Sequence, residues 1–79
     1  MADKKIVIYS TPSCLYCKMA KDYFQQNNVA FEEYDVQADV NKRQEMVAKS
    51  GQMGVPVIVI GDEIVVGFDK PFISTLLGL

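Results

Sequence analysis

Cys14 and Cys17 are the only two cysteines of the chain, and they stand three positions apart in a Cys-x-x-Cys pattern. Cysteines at positions i and i+3 near the start of a helix have Cα atoms roughly 5 to 6 Å apart, a separation that an unstrained disulfide tolerates. The pair could therefore close and reopen without remodelling the backbone. This spacing predicts a redox-active dithiol.

The two thiols are expected to differ in reactivity because of their positions. A strand-like run precedes Cys14 and a helical run follows it, so Cys14 should stand at a helix N-terminus. There the unpaired N–H groups and the positive end of the helix dipole favour a negative sulfur, and Lys18 adds a nearby cation. We therefore expect Cys14 to be the attacking thiolate. Cys17, one turn further on, should be more shielded, with the higher pKa, and should resolve a mixed disulfide.

Other uses of the cysteine pair remain as alternatives. A structural zinc site needs about four ligands, and the chain has no third cysteine and no histidine. A metal would therefore need carboxylates or a second subunit, as in a dimer-bridging zinc or iron–sulfur carrier, and we assign no metal ligands within the chain. A purely structural disulfide would close too short a loop to stabilise the fold much. A binding module without catalysis is the remaining alternative.

Composition restricts the class of protein. The chain has 79 residues and a formal net charge of −2, which suits one small globular domain, 1–79, acting as a monomer. Basic residues are interspersed with acidic ones, so nucleic acid is not an expected partner. The apolar run after residues 1–5 is too short for a signal peptide or a membrane span, so we expect no membrane partner and a cytoplasmic location. In that reducing compartment a permanent disulfide would be unusual.

Hydrophobic periodicity predicts the elements that must position the cysteines. Strands are predicted at 6–10, 30–36, 57–60 and 63–66, with a hairpin turn at Gly61 and Asp62. Helices are predicted at 14–26, at 40–50 and at the C-terminus, with N-caps at Ser13, Asp39 and Asp69. The order of the elements makes the first helix the crossover of a right-handed, parallel βαβ unit. The apolar faces of the first and last helices are expected to comprise Leu15, Met19, Ala20, Tyr23 and Phe24, and Phe72, Ile73, Leu76 and Leu77.

Three motifs together resemble those of the glutaredoxins, and the resemblance covers essentially the whole chain. They are T-P-S-C-L-Y-C-K after the first strand, G-V-P before the hairpin and G-F-D before the last helix. The resemblance implies an α/β thioredoxin fold, β-α-β-α-β-β-α, with a mixed four-stranded sheet flanked by three helices. It also implies that Cys14 is nucleophilic, that Cys17 resolves, and that the Val55-Pro56 bond is cis, with the Val55 backbone pairing with the bound substrate.

The same resemblance implies an activity and its contacts. The protein would be a thiol–disulfide oxidoreductase that reduces protein or glutathione mixed disulfides without a bound cofactor, and either glutathione or thioredoxin reductase would supply the electrons. Lys49 would meet the glycyl carboxylate of glutathione, with Gln52 as a polar helper. The remaining ligand contacts implied by the resemblance are Tyr16, Lys18, Val55, Pro56, Gly67, Phe68 and Asp69.

Several positions depart from the typical glutaredoxin pattern. Leu15 replaces a proline, Thr11 a lysine, Gly54 a threonine and Lys70 an acidic residue. These departures weaken the expected binding of glutathione. The Gly67-Phe68 pair also resembles redoxins that serve ribonucleotide reductase and accept electrons from thioredoxin reductase. The sequence therefore leaves the electron donor open.

Overall fold

A computed structural model describes residues 5–79 and shows one mixed sheet with three helices. The strands are β1 (Ile6–Ser10), β2 (Glu32–Asp35), β3 (Val57–Ile60) and β4 (Glu63–Val66), and the helices are α1 (Leu15–Gln26), α2 (Val40–Ser50) and α3 (Lys70–Leu77). The sheet order is β2-β1-β3-β4. β1 is parallel to β2 and antiparallel to β3, which is antiparallel to β4. The predicted thioredoxin fold is confirmed, although residues 1–4 of the predicted domain lie outside the described residues.

β1 is the central strand, and all five of its residues are buried. Its run of β-branched residues suits a strand that has neighbours on both edges and cover on both faces. Ile6 and Ile8 belong to the core on one face of the sheet, whereas Val7 and Tyr9 belong to the core on the other. Cys14 follows the carboxyl end of this strand after a short turn, so the most buried element of the fold positions the candidate nucleophile.

The two faces of the sheet carry separate hydrophobic cores. α1 and α3 cover the first face, to which they contribute Ala20, Phe24 and Ile73. α2 covers the second face, where Met46 packs with Tyr9. Since α1 and α3 share one face, that face holds the larger core.

The predicted boundaries of α2 and of the hairpin are confirmed. The Asp39 side chain accepts a hydrogen bond from the Lys42 N–H at 3.1 Å, and α2 ends at Gly51, whose φ of 75° is in the left-handed region. Asp69 caps α3 in the same way through the Phe72 N–H at 3.3 Å. Within residues 5–79, no helix is both long enough and apolar enough to cross a membrane.

β2 is shorter than predicted, since only Glu32–Asp35 of the range 30–36 is strand. Phe31 precedes the strand and packs its ring 5.5 Å from the Phe24 ring, centroid to centroid. Val36 is buried just beyond the strand, where its N–H donates to the Ser10 carbonyl at 2.9 Å. The apolar residues at both ends therefore serve the core without belonging to the strand.

The predicted apolar faces of α1 and α3 are partly wrong. Leu15, Met19 and Phe72 are 67%, 43% and 40% exposed. In α1 the buried positions are Cys17, Ala20 and Phe24. These positions are spaced by three and four residues, and this stripe turns toward the sheet, which leaves Leu15 and Met19 outside it. In α3, Ile73 takes the buried position and leaves Phe72 beside it at the surface.

Candidate active site

Cys14 itself is the N-cap of α1, so the predicted cap at Ser13 is wrong. Its backbone is extended, with φ −87° and ψ 112°, and its sulfur accepts a hydrogen bond from the Cys17 N–H at 3.1 Å. Ser13 lies one residue too early because the Cys14 N–H donates to the Thr11 carbonyl at 3.3 Å and closes a turn before the helix. The helix therefore begins at Leu15, and an N–H of its first turn points at the Cys14 sulfur.

The two sulfurs differ in exposure as expected. Both cysteines are free thiols, Cys14 is half-buried, and Cys17 is 1% exposed. Burial raises the pKa of the Cys17 thiol to about 12, and its hydrogen bond with Cys14 acts in the same direction. A backbone hydrogen bond at Thr11 and the positive charge of Lys21 oppose this rise in pKa. Cys17 is thus held as a neutral thiol behind the more accessible Cys14.

The Val55-Pro56 bond is cis, which confirms the conformation implied by the resemblance. Val57, the next residue, pairs with Tyr9 near the carboxyl end of β1, so Pro56 reaches the end of the sheet from which the chain leads to Cys14. The Pro56 carbonyl accepts a hydrogen bond from the Gly67 N–H at 2.8 Å. The structure therefore brings the G-V-P and G-F-D motifs together at this end.

Gln52 braces the loop before this bond. Its side-chain Nε2 donates to the Gly54 carbonyl at 3.0 Å, and its Oε1 accepts from the Gly54 N–H. The Ser50 hydroxyl also donates to the Gln52 carbonyl at 3.0 Å. The Gln52 amide thus holds both backbone groups of residue 54 within the loop.

Lys49 points to the second face of the sheet. Its ammonium nitrogen is 3.9 Å from the Glu45 carboxylate. It also lines a cavity of about 240 Å³ together with Val7, Tyr9 and Val59, among others. None of these contacts joins Lys49 to Cys14.

The other residues implied by the resemblance divide into exposed and engaged groups. Tyr16 and Lys18 are exposed on the first turns of α1, next to the cysteines. Phe68 is half-buried, with its ring centroid 5.9 Å from that of Tyr23. The Asp69 carboxylate caps α3, so its free oxygen and the backbone before the helix are the parts left to meet a ligand.

One group of residues beside the cysteines was not identified from the sequence. The Lys21 ammonium lies 2.7 Å from Glu33 Oε2, and the buried Ser10 hydroxyl donates to the same oxygen at 2.7 Å. The spacing of four between Cys17 and Lys21 is a signal that could have identified Lys21. Glu33 could not be found in this way because its position depends on how β2 pairs with β1.

Metal ligands are not clustered in the part of the chain that the structure describes. Across residues 5–79, no group of three or more His, Cys, Asp or Glu side chains could hold a metal ion. In the alternative of a site shared between two chains, Cys14 from each chain would bind the metal.

Sequence comparison relates the chain to known redox proteins. A family model described as Glutaredoxin matches residues 6–65. An uncharacterized glutaredoxin-like 8.6 kDa protein in the rubredoxin operon of Clostridium pasteurianum is 46% identical over 72 residues, which cover 91% of this chain and 96% of that protein. Glutaredoxin 3 of Escherichia coli K12 is 34% identical over 64 residues, which cover 81% and 77%, respectively.

Structural comparison adds a solved relative. The glutaredoxin-like protein NrdH-redoxin from Escherichia coli superposes with a TM-score of 0.78 at 28% identity, covering 91% of this chain and 93% of that one. That protein is described as having a thioredoxin-like activity profile. Sequence and structure thus lead to the same group of proteins.

Proposed function

The chain belongs to the glutaredoxin family of thiol–disulfide oxidoreductases, and we propose that Cys14 and Cys17 are the pair with which it reduces protein disulfides and glutathione mixed disulfides. The observation that carries this proposal is the asymmetry of the dithiol. Cys14 accepts an N–H bond at the start of α1, while Cys17 is buried one turn behind it. This asymmetry supports a role for the Cys14 sulfur in meeting the substrate and a role for the Cys17 sulfur in meeting Cys14.

The proposed reaction proceeds in two exchanges. The Cys14 thiolate attacks one sulfur of the target disulfide, a mixed disulfide forms, and the other target sulfur leaves as a thiolate. Cys17 then attacks the Cys14 sulfur, which forms the Cys14–Cys17 disulfide and releases the second target thiolate. Two electrons pass to the target, and glutaredoxins require no prosthetic group for this exchange. A reductant must afterwards restore the dithiol.

The proposed substrate surface surrounds Cys14. The backbone of Val55 would pair with the substrate chain, while Pro56 and Gly67, joined by their 2.8 Å hydrogen bond, would form the adjoining wall. Tyr16 offers an exposed ring beside the reacting sulfur. Phe68 and Asp69 would contribute backbone N–H groups near the start of α3. We propose that the protein acts as a monomer, and that it acts in the cytoplasm, where a reducing thiol pool favours return of the pair to the dithiol.

Single cysteine variants test the role of each sulfur. Cys14→Ser should abolish disulfide reduction, because the nucleophile is lost. Cys17→Ser should retain single-thiol chemistry and accumulate mixed disulfides, which mass spectrometry of the unreduced protein would detect. Equal residual activity in the two variants would contradict the proposed roles.

A second candidate is a redoxin that thioredoxin reductase supplies with electrons. Two side chains that the resemblance implies as glutathione contacts have other partners in the structure. Gln52 forms a hydrogen bond with the Gly54 carbonyl, and Lys49 pairs with the Glu45 carboxylate. Lys70, which stands in place of an acidic residue, lies with its ammonium nitrogen 5.3 Å from the centroid of the Tyr23 ring. The similarity to NrdH-redoxin also supports this candidate.

A coupled turnover assay distinguishes the two electron donors. One arm contains glutathione, glutathione reductase and NADPH, and the other contains thioredoxin reductase and NADPH, with the same disulfide substrate in both. The second candidate predicts turnover with thioredoxin reductase at protein concentrations where the glutathione arm is slow. The reverse ranking would favour glutathione as the donor.

A further inference from the structure

Cys17 has a proton to lose before it can act in the proposed reaction. A thiolate, not a thiol, attacks a disulfide. In the free dithiol, burial raises the pKa of Cys17, and the hydrogen bond with Cys14 acts in the same direction. Burial, the larger cause, persists when Cys14 is bound in a mixed disulfide, so few molecules carry a Cys17 thiolate at neutral pH. Once Cys14 is bound in a mixed disulfide, the speed of the second exchange depends on what stabilises a negative charge on the buried sulfur.

Three groups act on Cys17 from the elements packed around it. Cys14 stands one turn earlier, the Thr11 backbone forms a hydrogen bond with the thiol, and Lys21 stands one turn later on α1. Of these, Lys21 is the one cation, and the Glu33 carboxylate 2.7 Å from its ammonium offsets part of its charge. The side chain of Lys21 is only 29% exposed, so water screens its charge less than that of a free surface lysine.

The position of Lys21 is fixed from the sheet. Glu33 Oε2 on β2 lies 2.7 Å from the Lys21 ammonium and accepts a hydrogen bond of the same length from Ser10. Ser10 is buried at the end of β1, and the next residue is Thr11, whose backbone meets the Cys17 thiol. Two consecutive residues therefore act on this site: Ser10 holds the carboxylate that pairs with Lys21, and the backbone of Thr11 contacts Cys17.

We infer that Lys21, held by Glu33 and Ser10, is a positioning residue that stabilises the Cys17 thiolate in the second exchange. The inference rests on the proposed function of the dithiol. In this step the Cys17 thiol releases its proton to water and its sulfur attacks the Cys14 sulfur. The Cys14–Cys17 bond forms, and the bond from Cys14 to the target sulfur breaks. The target leaves with the electron pair and takes up a proton.

The test separates the two exchanges by rapid mixing with bis(2-hydroxyethyl) disulfide over a range of pH. Lys21→Met removes the charge and keeps an unbranched side chain. Release of the second thiol should slow about fivefold near neutral pH, and the pH midpoint of this step should rise. Lys21→Arg should restore most of the rate. In a Cys17→Ser background, Lys21→Met should leave the first attack by Cys14 within about twofold.

Lys5→Met is the matched control because Lys5 also pairs with a carboxylate on β2, Glu32, at 3.5 Å, and lies before the amino end of β1. It should leave the second exchange unchanged. Slowing by Lys21→Met without a shift in the pH midpoint and without rescue by arginine would indicate a structural role and overturn the inference. An unchanged rate and pH profile would also overturn it.

The proposed function and the inference fail in different ways. If the wild type releases no second thiol, or if Cys14→Ser remains active, the proposed function itself is wrong. If the wild type completes both exchanges and Lys21→Met matches it at every pH, only the role of Lys21 is wrong.

Discussion

Glu33 illustrates how a single carboxylate joins two elements beside the dithiol. The hydrogen bond from the Lys21 ammonium holds the pKa of Glu33 below its ordinary value of 4.5, and the bond from Ser10 acts in the same direction, while burial opposes both. A carboxyl group whose pKa is lower in the folded chain stabilises the fold above its unfolded pKa. That contribution disappears as the pH falls through the folded pKa.

Glu33→Gln should therefore have an effect on stability that depends on pH. At pH 7 the variant should lose about 0.5–1 kcal/mol of unfolding free energy, a modest amount because the ion pair is partly exposed to solvent. The difference from the wild type should shrink as the pH falls below about 4.5 and vanish once Glu33 is protonated in both states. Urea denaturation at several pH values would measure it.

Glu32→Gln provides the comparison for this experiment. Glu32 pairs with Lys5 at 3.5 Å, and both side chains are largely exposed. Its loss should therefore change the free energy of unfolding less than the loss of Glu33 does at pH 7. A constant difference between Glu33→Gln and the wild type across the whole pH range would contradict the linkage argument.

At this scale the sequence predicts residue types better than it predicts their surroundings. The spacing of Cys14 and Cys17 identifies the dithiol and the more shielded sulfur, because both depend only on helix geometry. The predicted cap at Ser13 fails because a backbone turn from Thr11 to Cys14 shifts the helix start by one residue. Periodicity alone leaves open which of several apolar residues faces the sheet, so the predicted burial of Leu15 is wrong.

The loop from α2 to β3 shows why a glycine occupies a position where the family often has threonine. Gly54 is not one of the glycines with a positive φ in the described residues, so the backbone conformation does not require a glycine at this position. A Cβ atom at Gly54 would instead lie 2.6 Å from Gln52 Oε1. The glycine makes room for the Gln52 amide, which holds both the N–H and the carbonyl of residue 54.

Gly54→Ala should therefore have opposite effects in two backgrounds. In the wild type it displaces the Gln52 amide and should cost about 1 kcal/mol of unfolding free energy, the typical worth of a hydrogen bond. In a Gln52→Ala background the space is free, so the same change should be neutral or stabilise by about 0.5 kcal/mol through the unfolded chain. Urea denaturation of the four proteins would complete the double-mutant cycle.

Equal effects of Gly54→Ala in the two backgrounds would contradict the proposed brace. Gly51→Ala provides a contrast, because Gly51 has a φ of 75° and a methyl group added there would meet no heavy atom within 4 Å. Its cost of about 1 kcal/mol should come from backbone strain and should not change when Gln52 is replaced.

Element boundaries follow from the sequence wherever a local signal marks them. Asp39 and Gly51 mark α2, and Gly61 marks the hairpin, so these elements are confirmed. β2 lacks such a signal. The sequence pattern does not distinguish an apolar residue within the strand from one that packs in the core just beyond its end, so the predicted range wrongly includes Phe31 and Val36. Strand register, which places Glu33 near Lys21, was not accessible from local patterns.

For the molecule as a whole, the agreement of motifs along the chain predicted the fold. The position of Lys49 was harder to anticipate because it depends on how α2 crosses the second face of the sheet. The hydrogen bond between Pro56 and Gly67 likewise joins two motifs that are separate in sequence. Packing between distant parts of the chain therefore determines side-chain positions and contacts that single motifs do not predict.

Unequal packing of the two sheet faces predicts how the molecule opens. Of the buried side chains, α1 contributes Cys17, Ala20 and Phe24, whereas α3 contributes Ile73 alone and α2 Met46 alone. α3 adds the half-buried Leu76 and Leu77 to the first core, whereas α2 adds only Val47 to the second. Since the fewest apolar side chains hold α2, we expect it to detach while the sheet and the other helices remain folded. Native-state hydrogen exchange of backbone amides can distinguish this partial opening from global unfolding.

Substitutions on the two faces should affect this exchange differently. Phe24→Leu weakens the first core and should lower the protection of β1 and β3 amides by about 1–2 kcal/mol, because these exchange through global unfolding. It should leave α2 amides unchanged, since the first core persists when α2 detaches. The packing of Met46 is lost both when α2 detaches and when the whole molecule unfolds. Met46→Val weakens this packing and should therefore lower the protection of the α2 amides and of the β1 and β3 amides. If Phe24→Leu lowers α2 protection as much as that of β1, then α2 opens only with the whole molecule.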